Sequence, residues 1–273
     1  MLRQLFAFAS IERLEDFCLL DDTYARTYFR KHPELAEFVL RIVTGIDDLV
    51  IDPNEYETQY DAKRIAGSRS LVLDVVAGDA KGRKINLEVE NWNASPERGE
   101  YHVATMCIEN LRQGQDFEEL PEIYVIFICG KDSVGNGRAI NQFSYRNDDF
   151  GMDDDDPTHE SMGGRTHIIF LNGEYEDDST DVGRLIHDLK CSKSADMFFE
   201  NLAERTRYLK ETNEGRKQMC KSMEEMRQES IRNTSIAIAF NLIKLGKNTH
   251  EEIAQATNLT LEEVKRLAGQ QAS

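Results

Sequence analysis

Residues 71–91, LVLDVVAGDAKGRKINLEVEN, decide how this chain is read. Two runs rich in Val, Leu and Ile flank the turn segment GDAKGR, whose Asp79 and Gly82 are a hairpin signal. The pattern predicts strands over 71–77 and 84–90, with Asp74 on the first and Glu88 and Glu90 on the second. Alternate residues of a strand share a face. Ile85, Leu87 and Val89 are therefore expected on one side, packed against a helix. Asn86, Glu88 and Glu90 are expected on the other, facing a cleft, with Asp74 opposite Glu88. Carboxylates are costly to bury, and three on adjacent strands repel one another unless a cation lies among them. Oxygen-only ligands favour Mg²⁺ or Mn²⁺ over softer metals. The plain alternative is that all three are solvated on the open face of an antiparallel sheet.

Outward from this hairpin, the chain reads as an α/β core followed by a helical region. Residues 20–45 carry apolar positions at helical spacing, with Pro33 marking a restart and Gly45 a stop. Residues 55–61 alternate weakly as a strand. Residues 97–113 read as an amphipathic helix ended by Gly114. The apolar run 122–129 (EIYVIFIC) suits a strand buried on both faces, and 166–171 (THIIFL) is a further short strand. From about Asp181 the pattern is helical, with long stretches over 194–210 and 214–245. The order helix, three strands, helix, strand points to a mixed sheet flanked by helices. The division expected is a core over 15–175 and a helical region over 181–273.

With 273 residues there is enough apolar material for a sizeable core. No run approaches a membrane span of about 20 residues. The apolar start of the chain is followed at once by Glu12, Glu15 and Asp16, which suits no export signal. Five cysteines without a Cys-x-x-Cys pair read as reduced thiols of a cytoplasmic protein, and the six histidines show no zinc-ligand spacing. The net charge of −17 opposes approach to nucleic acid unless basic residues line one groove.

Several stretches resemble one family. LLDDTYARTYFRKHPEL, ETQYDAKRIAGSRSLVLDVVAGDAKGRKINLEVEN, ASPERGEYHVATM, QGQDFEELPEIYVIFICGKDSVGNG, GEYEDDSTDVGRLIHDLKC and the terminal EEIAQATNLTLEEVKRLAG follow one another as in the PD-(D/E)xK nuclease-like transposases, which include bacterial recombination-promoting nucleases. The resemblance covers most of the chain. It implies a restriction-endonuclease-like fold and a Mg²⁺-dependent (or Mn²⁺-dependent) DNA endonuclease, a phosphodiester hydrolase of DNA recombination, mobile-element or phage-defence biology. Carried onto this sequence, it makes Asp74 and Glu88 metal ligands, adds the Val89 carbonyl as a third, and puts Glu90 in the water-orienting position as the remaining catalytic residue. A metal so held lowers the pKa of a bound water and stabilises the phosphodiester oxygens.

Glu90 departs from the pattern, because the family usually has Gln where related nucleases have Lys. An ionised Glu only accepts hydrogen bonds, and it adds negative charge beside the phosphate. Positions commonly basic in the family are Val72, Asn91, Glu97 and Glu100 here, while Lys63, Arg69 and Arg98 remain. The candidate substrate-binding residues are Arg69, Arg98, Tyr101 and His102. Two other readings stay open: a catalytically degenerate relative that binds or regulates, and a nuclease acting on RNA or nucleotides.

Three further features have bland readings. The acidic run Asp148–Asp156 lacks the ligand spacing of a calcium loop. Met219, Met223 and Met226 form a helical stripe suited to packing within the chain or between copies. The segment Thr249–Ala268 looks like a helix-turn-helix, but Glu262 and Glu263 on its second helix suit a packing module or a homo-oligomer contact better than a DNA reader.

Overall fold

The computed structural model describes residues 14–62, 71–144 and 165–271. Lys63, Arg69 and the acidic run Asp148–Asp156 lie outside them. The described residues form two compact units, one of 14–62 with 71–218 and the other of 219–271.

The first unit opens with α1 (Asp22–Phe29) and α2 (Pro33–Thr44). Pro33 starts α2 because its missing N–H would be unpaired there in any case. Gly45 stops it in the left-handed conformation at φ 68°, which glycine adopts without a Cβ penalty. Six strands follow: β1 (Ile51–Asp61), β2 (Val72–Asp79), β3 (Lys84–Glu90), β4 (Ile123–Cys129), β5 (Ile140–Ser144) and β6 (Thr166–Asn172). They form one mixed sheet in the order β1-β2-β3-β4-β6-β5. The β3–β4 and β4–β6 pairs are parallel, and the other three pairs are antiparallel. The parallel step from β3 to β4 passes through α3 (Pro96–Asn110), as a parallel connection requires. Helices α4 (Asp181–Lys190) and α5 (Glu200–Glu211) complete this unit. The mixed six-stranded sheet flanked by helices, followed by a helical C-terminal region, is the restriction-endonuclease-like architecture that the sequence predicts.

The hairpin turn is built by Asp79. Its carboxylate accepts the N–H groups of Lys81 and Arg83 and pairs with the Arg83 guanidinium, while Gly82 takes φ 81°. Helix α3 starts at Ser95, whose hydroxyl accepts the Arg98 N–H, and then Pro96. Its Val103 and Met106 pack in one buried cluster with Ile123, Val125, Phe127 and Cys129 of β4 and Phe170 of β6. The Phe127 and Phe170 rings stack 5.3 Å apart.

The register corrects one expectation. Asn86, Glu88 and Glu90 pair with Val125, Phe127 and Cys129, so the polar side of β3 lies on the face that α3 covers. The face is not open along its length: Asn86 and Glu88 are buried and Glu90 is partly exposed, and only the end with Glu88 and Glu90 lines a cavity. The apolar side is buried too, with α1 packed near β1 and β3. Boundaries also shift. β1 begins at Ile51, because an edge strand tolerates Pro53. The helix predicted over 97–113 ends at Asn110, where Leu111 turns extended. The stretch 194–210 holds a short 3₁₀ turn, Ser194–Asp196, before α5. β5 has no counterpart in the prediction, since INQFS on the opposite edge is too polar to signal a strand.

Helix α6 (Asn213–Leu245) leads from the first unit into the second. Met219 on it is fully buried, and Met223 and Met226 are partly so. Beyond it, α7 (His250–Thr257) and α8 (Leu261–Gln271) pack around Ala239, Ile253, Leu259 and Val264. Thr249 with Glu252 caps α7, Asn258 closes it at φ 58°, and Thr260 with Glu263 opens α8. Glu263 also pairs with Arg232 of α6, which ties the second helix of the motif to its own unit. Among the described residues no helix is long and apolar enough to cross a membrane.

The closeness of α3 to the sheet depends on Gly99, where an added Cβ would meet Ile168 Cγ2 at 2.7 Å. Gly99→Leu is expected to cost about 1–3 kcal/mol through overpacking. At roughly 2–4 °C per kcal/mol, the melting midpoint then falls by several degrees. An unchanged midpoint in a calorimetric scan refutes this packing.

Candidate metal centre

The hairpin opens just where its carboxylates lie. The β2–β3 pairing runs from Gly78–Lys84 to Val75–Leu87. One step on, side chains take over from backbone. Glu88 Oε1 accepts the Asp74 N–H at 2.9 Å, and Asp74 Oδ2 accepts the Val89 N–H at 3.1 Å. Each strand thus satisfies a backbone donor of the other with a carboxylate. This places Asp74 and Glu88 side by side, as the spacing predicts.

The carbonyl of Val89 belongs to the same place. Glu90 O accepts the Gly130 N–H from the end of β4. Carbonyls alternate in direction along a strand, so the Val89 carbonyl points to the β2 side, where Asp74 lies.

Two amides brace the carboxylates. Asn86 Nδ2 donates to Glu88 Oε1 at 2.7 Å and to Val75 O at 3.2 Å. Gln59 Nε2 donates to Asp74 Oδ1 at 3.1 Å. Gln59 does so from a left-handed backbone at φ 62° on β1, a conformation costly for a residue with a Cβ. Its Oε1 is buried without a hydrogen-bond partner. Such strain is met at sites that position ligands.

His102 is fully buried on α3. Its Nδ1 lies 2.9 Å from Asn86 Oδ1, and the Asn86 amide nitrogen is already donating, so Nδ1 carries the proton. Burial and then the charge of Arg98 push His102 down to about 4, so the ring is neutral. The chain His102–Asn86–Glu88 therefore orients the carboxylate from behind. His102 is not placed to meet a phosphate, and Tyr101 is partly exposed on the same helix, outside the cavity beside the carboxylates.

Arg98 is a cation of the site. It pairs with Glu90 Oε1, stands 3.7 Å from Glu88 Oε2, and lies over the Phe127 ring at 5.6 Å. Since Phe127 also contacts the His102 ring edge-on, one buried aromatic supports both. A cavity of about 420 Å³ is lined by Asp74, Glu88, Val89, Glu90, Trp92 and Arg98. Asp22 and Arg26 of α1, paired with each other at 2.7 Å, line it as well.

The electrostatics are those of an anionic pair short of positive charge. Glu88 is pushed up to about 8, first by burial and then by the negative charge of Asp74. Asp74 is raised as well, by burial first, against the opposing Val89 N–H. The donors available are all oxygen, which fits a hard divalent cation, and such a cation relieves the repulsion that raises both groups.

Residues 34–152 match the family described as PD-(D/E)XK nuclease family transposase. This segment is similar to that family. It runs from α2 through β5 and contains Asp74, Glu88, Glu90 and Arg98. The match supports a nuclease-type domain, of a kind that generally uses divalent metal ions. No curated protein and no solved structure matches the chain.

The sequence placed Asn86 on the carboxylate face without a role, and it singled out neither Gln59 nor Trp92. Asn86 carried a signal, being polar on a strand otherwise rich in apolar residues; Gln59 carried none, because its left-handed backbone is invisible in sequence. A second group was also missed: ligand atoms of His187, Asp188 and Cys191 lie within 4.8 Å of one another. Both Asp188 oxygens accept backbone N–H groups, those of Phe198 and Phe199. Cys191 Sγ lies 3.5 and 3.8 Å from the two ring nitrogens of His187, to one side of the Nδ1 lone pair. This cluster ties α4 to the start of α5.

Glu88 holds its proton more tightly in the folded chain than in the unfolded one. Its contribution to stability is fully present below about pH 4.5 and is lost as pH rises toward about 8. In EDTA, Glu88→Gln is expected to flatten that decline and to melt several degrees above wild type at the alkaline end. Parallel pH profiles of the two proteins contradict the assignment.

Proposed function

We propose that the chain is a Mg²⁺- or Mn²⁺-dependent endonuclease acting on DNA. The observation that supports it most is the pair of half-buried Asp74 and buried Glu88, with the Val89 carbonyl on the same side, at a cavity, inside a nuclease-type domain. In this reading Asp74, Glu88 and the Val89 carbonyl hold the metal, which when bound supplies a water of lowered pKa and charge for the phosphodiester oxygens. Asn86 fixes the Glu88 carboxylate through its amide, with His102 behind it. Glu90 occupies the position that orients water. Its charge is offset by Arg98, which keeps a five-donor guanidinium between Glu88 and Glu90, facing the charge that develops on the phosphate. The core nominally spans 15–175. Cleavage of both strands needs two sites or two events, which suits self-association through the C-terminal helices, and the biology is that of cytoplasmic DNA recombination.

One observation favours a second reading, a degenerate relative that only binds. Glu88 Oε1 and both Asp74 oxygens already accept hydrogen bonds, so the pair stands without a metal.

Plasmid nicking with Mg²⁺ and Mn²⁺ separates the two. Wild type is expected to cut, with Asp74→Ala reduced at least about 100-fold, on the order of one lost transition-state interaction of 2.7 kcal/mol or more. Cleavage by Glu90→Gln alone identifies a degenerate nuclease, and no cutting by any variant supports the binding reading. In thermal-shift titrations Asn86→Ala is expected to weaken metal affinity by roughly 10–100-fold. A wild type that shows no shift at millimolar metal overturns the metal site.

A further inference from the structure

We infer that the cavity accepts one unpaired nucleotide of a DNA or RNA strand, and that Trp92 is the surface on which its base stacks. The inference rests on the nuclease reading and names the substrate form that the same site takes.

Three observations carry it. The first is Trp92 itself. It follows β3 by two residues, lines the cavity with Glu88 and Glu90, and is 70% exposed. An indole so exposed contributes little to the core, and its face is available to a planar ligand. The second is charge. Five carboxylates, Asp21, Asp22, Asp74, Glu88 and Glu90, line the cavity against two guanidiniums, Arg26 and Arg98. Both guanidiniums are already paired, Arg26 with Asp22 and Arg98 with Glu90. Duplex binding depends on many Lys and Arg contacts along closely spaced phosphates, and among the described lining residues no further cation is present. The third is size. About 420 Å³ lies in the range of a small-ligand pocket and admits one nucleotide, whereas a duplex does not enter.

Stacking suits these conditions. It draws on the π-face that every base has, works without positive charge, and is sequence-tolerant. A single phosphate would then lie next to the cation that Asp74 and Glu88 would hold, with Arg98 alongside. The recognition is thus of a strand end, a flap or a flipped base, and the net charge of −17 weighs most against the long duplex approach.

Trp92 is the one tryptophan of the chain, so its fluorescence reports this site alone. The full-length protein is titrated in Ca²⁺, with EDTA as control, using an oligo-dT octamer, an oligo-rU octamer, dTMP and a blunt DNA duplex. Saturable quenching by at least one octamer is expected, at least about tenfold tighter than by the duplex, and the preferred octamer identifies the source strand. Anisotropy of a labelled octamer is expected to show Trp92→Ala weaker by roughly five- to 150-fold, the loss of one stacked base. Trp92→Phe should keep most of the affinity, and both variants should melt near wild type. Equal binding of duplex and octamers, binding of dTMP alone, or a Trp92→Ala variant that binds as wild type overturns the inference. Octamer binding through Trp92 without cleavage of any substrate sinks the nuclease reading and leaves the stacking site standing. Plasmid cleavage with no role for Trp92 does the reverse.

Discussion

The rest of the site depends on the exchange between Asp74 and Glu88. Two antiparallel strands part at this point, and each carboxylate takes a backbone N–H of the other strand. The exchange serves two needs at once. Backbone donors that the open ladder would leave buried are satisfied, and two anions are fixed next to each other in a place where water is scarce. Burial raises both groups, and their mutual repulsion raises Glu88 further. A pair held in this state is poised for a cation, because a divalent ion relieves a strain that neutral partners only moderate.

Around that pair the fold supplies supports in order of distance. Asn86 and Gln59 hold one carboxylate each, His102 holds Asn86, and Phe127 braces the ring of His102. The parallel crossover makes this arrangement, since α3 must return across the sheet to start β4 and so lies over β3 and β4. Ser95 and Pro96 fix where α3 begins, and Arg98 then falls beside Glu88 and Glu90. The third carboxylate, Glu90, is met by a guanidinium from the next element. The positive charge beside the carboxylates is carried by the helix and not by the strand.

Much of this was legible in the linear chain. The two strands of the hairpin, the buried run Ile123–Cys129, the stop at Gly45 and the two terminal helices with their turn at Asn258–Thr260 follow from periodicity and punctuation. Edge elements were less legible. β5 and the first residues of β1 are polar or contain proline, and only pairing on one side holds them as strands. The face of β3 was misread because strands alternate without saying which side a helix will cover.

The sequence by itself determined most element types, the Asp74 and Glu88-x-Glu90 spacing and the resemblance to one family, because these depend on residues near one another along the chain. Tertiary structure alone decided that the carboxylate face would be the covered one, that Arg98 would neutralise Glu90, that His102 would act from behind through Asn86, and that Trp92 would stand exposed at the cavity. Each of these depends on where α3 crosses the sheet and on a backbone angle at Gln59. Such distances and angles arise only when strands far apart in the chain pair and a helix packs across them.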